Sequence, residues 1–247
     1  MFSLFSRKKE PQAIDYFPIT LDIHSHILPG IDDGSPDLET SIRLIKGLME
    51  MGVTKSIATP HIISDLYRNN PTTINNALSL LRNEIKAQGL NFEVNAAAEY
   101  MLDSSFFELL HKKEPILTLK DNIILTEFSY ASMPEDPAKH SFEIIMAGYS
   151  PILAHPERYP YYYKNYSMYH RFVELGFMLQ LNLLSLTGYY GKEAVKASHY
   201  MLKNELVSFV GTDMHHFRHL DMLTDNKSRL EFQKHLSHRS WNNFLND

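Results

Sequence analysis

Short apolar, β-prone runs alternate along this chain with stretches whose apolar residues recur at helical spacing, and most of the apolar runs end on a histidine or a carboxylate. Alternation of that kind points to βαβ units, because parallel strands need helical crossovers rather than tight turns. Ser35, Pro36 and Asp37 read as the N-cap, first-turn proline and acidic first turn of a helix with Leu38, Ile42, Ile45 and Leu48 on one face, stopped by Gly52. A strand follows over 53–58. Thr72 or Thr73 opens a second helix, with Ile74, Leu78, Leu81 and Ile85 on one face and Gly89 at its end, ahead of a strand over 92–98. Strands at 123–126, 151–154, 177–181 and 206–211 and a helix near 138–147 continue the cycle. Roughly seven such units fit the length, which is that of one α/β barrel, so the expected fold is a closed or nearly closed β/α barrel. No internal repeat or linker divides it. The stretch 158–169, with tyrosines at 159, 161, 162, 163, 166 and 169, is the least regular and is predicted to loop over the mouth. Trp241 is predicted to anchor the last helix.

The chain of 247 residues contains no cysteine, which removes disulfides, thiolate metal sites and a cysteine nucleophile and fits a cytoplasmic home. Its formal charge of −5 argues against a nucleic-acid partner, since a phosphate backbone is held by a basic surface or stripe. No apolar run is long enough to span a bilayer, so stable membrane insertion is not expected. Met1 to Glu10 places apolar residues before Arg7, Lys8 and Lys9, the reverse of a secretory signal. Residues 1–19 read as an N-terminal extension with a frayed tip, and 20–247 as a single domain. Nothing in the sequence sets an oligomeric state.

The chemistry sits where the strands end. Ile19, Leu21 and Ile23 alternate like a strand, which puts His24 and His26 on one face just past it, close enough to share an ion. His61 closes the next apolar run through Thr59 and Pro60, and Glu99, Glu127, His155, Asp213 and His215 stand at the ends of later ones. Strand ends of a barrel converge, and imidazole and carboxylate donors without sulfur suit manganese, iron or zinc, with a carboxylate such as Glu99 able to bridge two ions. About three divalent ions bring roughly +6 against about −4 from four carboxylates, counting Asp33 of the loop after His26 beside Glu99, Glu127 and Asp213, so the pocket of an acidic protein would still attract a phosphate. Metal-bound hydroxide is then available as a nucleophile near neutral pH. Arg158, three residues beyond His155, is placed either to clamp phosphate oxygens or to pair with Glu157.

The segments LDIHSHILPGIDDG, ATPH, AAAEY, LTEFS, LAHPERY and GTDMH, in that order, resemble the polymerase and histidinol phosphatase (PHP) family. Within it they are most similar to the manganese-dependent tyrosine-protein phosphatases of bacterial capsule and exopolysaccharide systems. The resemblance runs from about residue 20 to about residue 220. It implies a distorted TIM-like (β/α)7 barrel of the PHP type and a centre of three ions, manganese with iron or zinc as substitutes. It adds Asp33 to the ligands, so that the set is His24, His26, Asp33, His61, Glu99, Glu127, His155, Asp213 and His215, with Arg158 in phosphate binding. One sharing puts His24, His26, Glu99 and Asp213 on a first ion, Glu99, Glu127 and His155 on a second, and Asp33, His61 and His215 on a third. The implied substrate is phosphotyrosine on a bacterial tyrosine kinase. Two departures stand out: some nineteen residues precede the first strand, and Ile62 follows His61 where relatives often carry a basic residue or histidine. Phosphate contacts there pass to Arg68 or Arg218, and Tyr159 joins them as a substrate-binding candidate.

Plainer readings stand beside these. Asp32 caps the turn before Gly34, the tyrosines pack the loop, stack on a substrate or meet a partner, and Asn182 orients a neighbour or a water. His111, His140, His170, His199, His235 and His238 read mostly as surface groups, with His216 and His219 near the site and open. The rival functions are a small-molecule phosphatase acting on a compound such as histidinol phosphate, a metal-dependent nuclease, and a non-catalytic kinase-binding regulator.

Overall fold

Every strand pair is parallel, and within each of two sheets the strands lie side by side in chain order. The computed structural model describes residues 15–245; the tip from Met1 to Glu10, and so most of the expected 1–19 extension, lies outside the described residues. One sheet runs β1 (Leu21–Asp22), β2 (Lys55–Ala58), with β4 (Glu93–Ala96) third. The other runs β3 (His61–Ile62), β5 (Glu99–Met101), β6 (Ile123–Glu127), β7 (Ser150–Ala154), β8 (Met178–Asn182) and β9 (Val207–Gly211). The two sheets share a seam. β2 continues into β3 across Thr59 and Pro60, and β4 into β5 across Ala97 and Ala98, with Ala97 N donating to Ala58 O at 2.8 Å and Glu99 N to Pro60 O at 3.1 Å. The single strand expected over 92–98 is therefore broken, and Glu99 begins a second short strand instead of ending a long one. Pro60 has no N–H to give a ladder, which is one physical cause of the break.

The segment after β1 links the two outer edges. Thr59 N donates to Ser25 O at 2.8 Å on one side, while Asp213 N donates to His24 O at 2.7 Å and His26 N to Met214 O at 2.8 Å on the other. Ser25 and Met214 form an isolated parallel bridge. Strand residues alternate between two cores: Ile123, Leu125, Ile152 and Ala154 meet Leu21, Ile57 and Phe209 on one face, while Ile124 and Leu153 meet the helices on the other. A sheet buried on both faces reads as continuous apolar runs, as these do.

The crossovers are α1 (Leu38–Glu50), α2 (Pro71–Ala87), α3 (Ser104–His111), α4 (Pro137–Met146), α5 (Ser167–Glu174) and α6 (Lys192–Lys203), followed by α7 (Phe217–Thr224) and α8 (Asn226–Leu236). The expected N-cap of α1, Ser35, is not the cap. Asp37 accepts from Thr40 N at 2.8 Å, and Ser35 is buried two residues earlier, donating its amide to His26 O at 2.9 Å. α2 likewise starts sooner than expected, in a capping box of Asn70 and Thr73 with Pro71 in its first turn. Helix α3 was not anticipated; it is held by its Asp103 cap and by buried Phe106 and Leu110. The predicted loop at 158–169 is two short 3-10 turns and the start of α5, with Tyr159, Tyr162 and Tyr169 fully packed, so packing is the role of these three. Trp241 is buried, and its Nε1 donates to Leu236 O at the end of α8.

Candidate metal centre

All nine side chains named in the sequence analysis meet in one cluster, where strands end or, at His61 and Glu99, where a broken strand resumes. The loop that carries His24, His26 and Asp33 can fold back on itself because Gly34 lies against it: a Cβ there would stand 2.1 Å from His26 O. Gly211 plays the same part under His24, whose Cβ would be 2.7 Å from an added methyl. Two of the nine, His155 and Asp213, leave their strands in the left-handed region, with φ of 36° and 52°. Non-glycine residues reach that region at a cost of about 1–3 kcal/mol, and such residues concentrate at functional sites.

His24 Nε2 lies 3.3 Å from His26 Nε2, 3.2 Å from Glu99 Oε2 and 3.4 Å from Asp213 Oδ1. His26 Nε2 is 3.4 Å from the same two carboxylate oxygens. His61 Nδ1 stands 3.1 Å from Glu99 Oε2 and 2.9 Å from Glu127 Oε1, and His155 Nε2 stands 2.9 Å from Glu99 Oε1. Asp33 Oδ1 is 3.7 Å from His61 Nε2 and 3.6 Å from His215 Nε2. Donors about 2.0–2.2 Å from a common ion are separated by about 3.0–3.4 Å, so most of these spacings are edges of a coordination shell. The donor groups overlap: His24, His26 and Asp213; His24, Glu99 and His155; His61, Glu99 and Glu127; His26, Asp33, His61 and His215. Glu127 thus meets His61 more closely than the expected sharing with His155 supposed, and Glu99 is common to two groups.

The unpaired atoms test whether cations fit. His61 Nδ1, both oxygens of Glu99 and Glu127 Oε1 are buried without a hydrogen-bond partner among the described residues. Leaving such atoms unpaired costs about 1–3 kcal/mol each, more when charged, and divalent ions would satisfy all of them. The outward ring nitrogens are already fixed, as ligating histidines require. His24 Nδ1 donates to Gln180 Oε1 at 2.9 Å, His26 Nδ1 to Asp32 Oδ2 at 2.7 Å and His215 Nδ1 to Asp213 O at 2.8 Å, while His155 Nδ1 pairs with the Tyr130 hydroxyl at 3.0 Å.

Burial opposes charge throughout this cluster. It is overcome at His24 by Glu99 and Asp213, at His26 chiefly by Asp32, and at His61, pushed up to about 9, by Glu99 and Glu127. Glu127 is pushed up to about 7 by burial and the Glu99 charge, and His155 down to about 4 by burial and Arg158. Protons and cations therefore compete for one set of acids and imidazoles.

Six of the nine, Asp33, His61, Glu127, His155, Asp213 and His215, line a pocket of about 360 Å³ whose wall includes Ile63, Leu66, Tyr67, Met101, Tyr130 and Ala131. Arg158 also lines it, paired with Asp213 Oδ2 and held with its guanidinium carbon 4.0 Å from the Tyr190 ring centre and 5.2 Å from that of Tyr130. It does not pair with Glu157, which is buried and accepts from Asn182 N and from Ser185 Oγ. The remaining candidates lie elsewhere. Arg68 donates to Ser64 O and lines a neighbouring groove, Arg218 is exposed beside Tyr189, and Tyr159 is fully buried, its hydroxyl donating to Ala154 O and accepting from Phe128 N.

Sequence reasoning passed over Gln180 and Tyr130 and assigned Asp32 only a turn. Asp32 does cap Gly34 N at 3.0 Å, but its other oxygen orients His26 and accepts from His61 N. Gln180 shares the inward face of β8 with Asn182, a period-two signal that was readable, and Asn182 Nδ2 donates to Asp213 Oδ2 at 2.8 Å. His219 is buried with Nδ1 3.0 Å from Asp213 O, a structural neighbour of the cluster.

A family model described as capsular polysaccharide synthesis, CpsB/CapC, matches residues 20–228. The tyrosine-protein phosphatase YwqE of Bacillus subtilis is 31% identical over 199 residues, covering 80% of this chain and 78% of that protein. The putative tyrosine-protein phosphatase CapC of Staphylococcus aureus is 32% identical over 197 residues, covering 79% and 76%. The crystal structures of YwqE from Bacillus subtilis and CpsB from Streptococcus pneumoniae, described as unique metal-dependent tyrosine phosphatases, include a chain that superposes with a TM-score of 0.78 at 29% identity, over 87% of this chain and 86% of that one.

Proposed function

The chain belongs to the CpsB/CapC family of capsular polysaccharide synthesis, and we propose that it is a metal-dependent phosphatase that hydrolyses phosphotyrosine on a protein, a bacterial tyrosine kinase of capsule or exopolysaccharide synthesis. The observation that carries this reading is that Arg158 and six of the nine donors, Asp33, His61, Glu127, His155, Asp213 and His215, line one pocket, with His24, His26 and Glu99 buried against them. The fold we infer is the distorted (β/α)7 barrel, residues 20–247 as one domain, with the bridge between Ser25 and Met214 supporting closure. Three manganese ions are the proposed complement, held by His24, His26, Glu99 and Asp213, by Glu99, Glu127 and His155, and by Asp33, His61 and His215. Among the described residues no helix is long and apolar enough to cross a membrane, and we place the enzyme in the cytoplasm.

Divalent ions held there supply an activated water and Lewis acidity toward phosphoryl oxygens. The chain itself does the rest. Arg158 presents a planar fork to phosphoryl oxygens, and the flanking rings of Tyr130 and Tyr190 fix its plane. Its pairing with Asp213 ties the phosphate contact to the donor cluster. Tyr67, Leu66 and Met101 line the pocket where the phenyl ring of a phosphotyrosine would enter. The leaving phenolate, with a pKa of about 10, departs with little protonation, so no acid beside it is needed. Without cysteine in the chain, a cysteinyl-phosphate route is closed.

The test is a substrate panel on chelator-stripped protein with manganese added back. Phosphotyrosine peptides should be turned over at least tenfold faster than phosphoserine peptides of the same sequence, histidinol phosphate or single-stranded DNA. A preference for histidinol phosphate would replace the protein substrate, and full turnover by protein shown to be metal-free would remove the metals from the reaction.

A further inference from the structure

A second group of metal-type donors lies away from the pocket, on two helices of the outer layer. His199 is on α6, and Glu231 and His235 are on α8, spaced four residues apart so that both face α6. Donor atoms of the three lie within 4.8 Å of one another. The two imidazoles stack with ring centres 4.4 Å apart at 28°, and His235 Nε2 stands 3.3 Å from Glu231 Oε2. Nε2 of His199 and Nε2 of His235 are both buried and have no hydrogen-bond partner among the described residues. Surface histidines, as these read in the sequence, would give those nitrogens to water.

We propose that His199, Glu231 and His235 form a further metal site that takes one late first-row divalent ion of the zinc class and clips α8 to α6. Two imidazoles and one carboxylate with room for a water form a donor set that zinc, cobalt or nickel accepts readily, whereas manganese binds such a small set weakly. An ion on this set satisfies both buried nitrogens at once, which neither Glu231 nor a single shared proton does. Lys234 approaches Glu231 at 3.9 Å and is the competing cation, a solvated one that a divalent ion displaces. The clip has a place in the fold. α8 follows α7 directly and carries buried Phe232 and Leu236 into the core, and α6 and α8 both pack on the 3-10 turn Leu183–Thr187, so the clip fixes two helices that share one support.

The experiment uses the full chain. Protein stripped with chelator, saturated with zinc and desalted should hold one zinc more per chain by elemental analysis than His199→Gln or Glu231→Gln treated alike. Zinc added to the manganese-loaded protein should raise the native Tm by about 5 °C more than that of either variant, the difference expected of one further ion about a hundredfold above its Kd once exchange in the pocket, common to all three, is subtracted. Manganese-dependent phosphatase turnover should be the same in all three, because none of these residues lines the pocket. Equal zinc counts, or equal Tm shifts, in native protein and folded variants overturn the site.

Discussion

Arg158 is the residue at which a structural and a catalytic role part most clearly. Its guanidinium touches Asp213 and lies between two tyrosine rings, so a lysine at the same place keeps the charge but loses both the fork and the stacking. Arg158→Lys should lower kcat/KM by roughly tenfold or more with metal content unchanged, the loss expected for one charge-assisted contact to the phosphoryl group. Turnover near that of the native protein in Arg158→Ala would remove it from the site. Glu99 makes a different prediction, since its two oxygens face four imidazoles on two sides. Glu99→Ala should lose more than one bound ion per chain, while His215→Ala, at the edge beside Asp33, should lose no more than one. Equal losses measured by elemental analysis would reject Glu99 as a bridge.

At the scale of elements, the site is made by strand ends and by the close approaches beneath them. Gly34 has no room for a methyl group against the His26 backbone, and no flexible side chain is there to yield. Gly34→Ala should therefore displace the loop that carries His26 and Asp33, reducing manganese retention at least tenfold while far-ultraviolet circular dichroism stays native; undiminished retention would show that the loop tolerates the shift. The strands and eight of the nine donors were legible because each donor follows a short apolar run, as were α1, α2 and α4 among the crossovers, whereas Asp33 came from the resemblance alone. The broken strand at Ala97 and Ala98 escaped, since an alanine run carries no break signal and the cause lies in its partner, where Pro60 interrupts the ladder. α1 starts at Asp37 instead of Ser35 for a tertiary reason: Ser35 is spent on the carbonyl of His26. Tyr130 was missed because it acts through a histidine brought to it only by the fold, whereas Gln180, two residues before Asn182 on one strand face, had a readable place but no readable partner in His24. The Ile62 departure pointed to Arg68 and Arg218, yet helix and loop geometry carries both away from the pocket, and the arginine that does line it is Arg158.

For the whole molecule, the centre couples metal binding, protonation and stability. With metals stripped, His61 holds its proton up to about pH 9 and Glu127 up to about pH 7, both above their ordinary values of 6.5 and 4.5. A group whose folded pKa is raised stabilises the fold below its unfolded pKa and loses that contribution as pH climbs through the folded one. Glu127 loses its contribution between about pH 4.5 and pH 7 and His61 between about pH 6.5 and pH 9, while His155, lowered to about 4, gains between about pH 4 and pH 6.5, so the stripped protein should become less stable from about pH 6.5 to about pH 9. The loaded protein should behave oppositely, because an ion needs neutral imidazole and ionised carboxylate and so binds more tightly as those protons leave. Two measurements follow. Tm of stripped protein should fall across that pH range while Tm at fixed, limiting manganese holds or rises, and calorimetric titration with manganese at pH 7 should give heats that vary with the ionisation enthalpy of the buffer, the mark of proton release. Buffer-independent heats together with parallel Tm curves would mean that protons do not occupy the donor set, and the competition inferred from its geometry would fail.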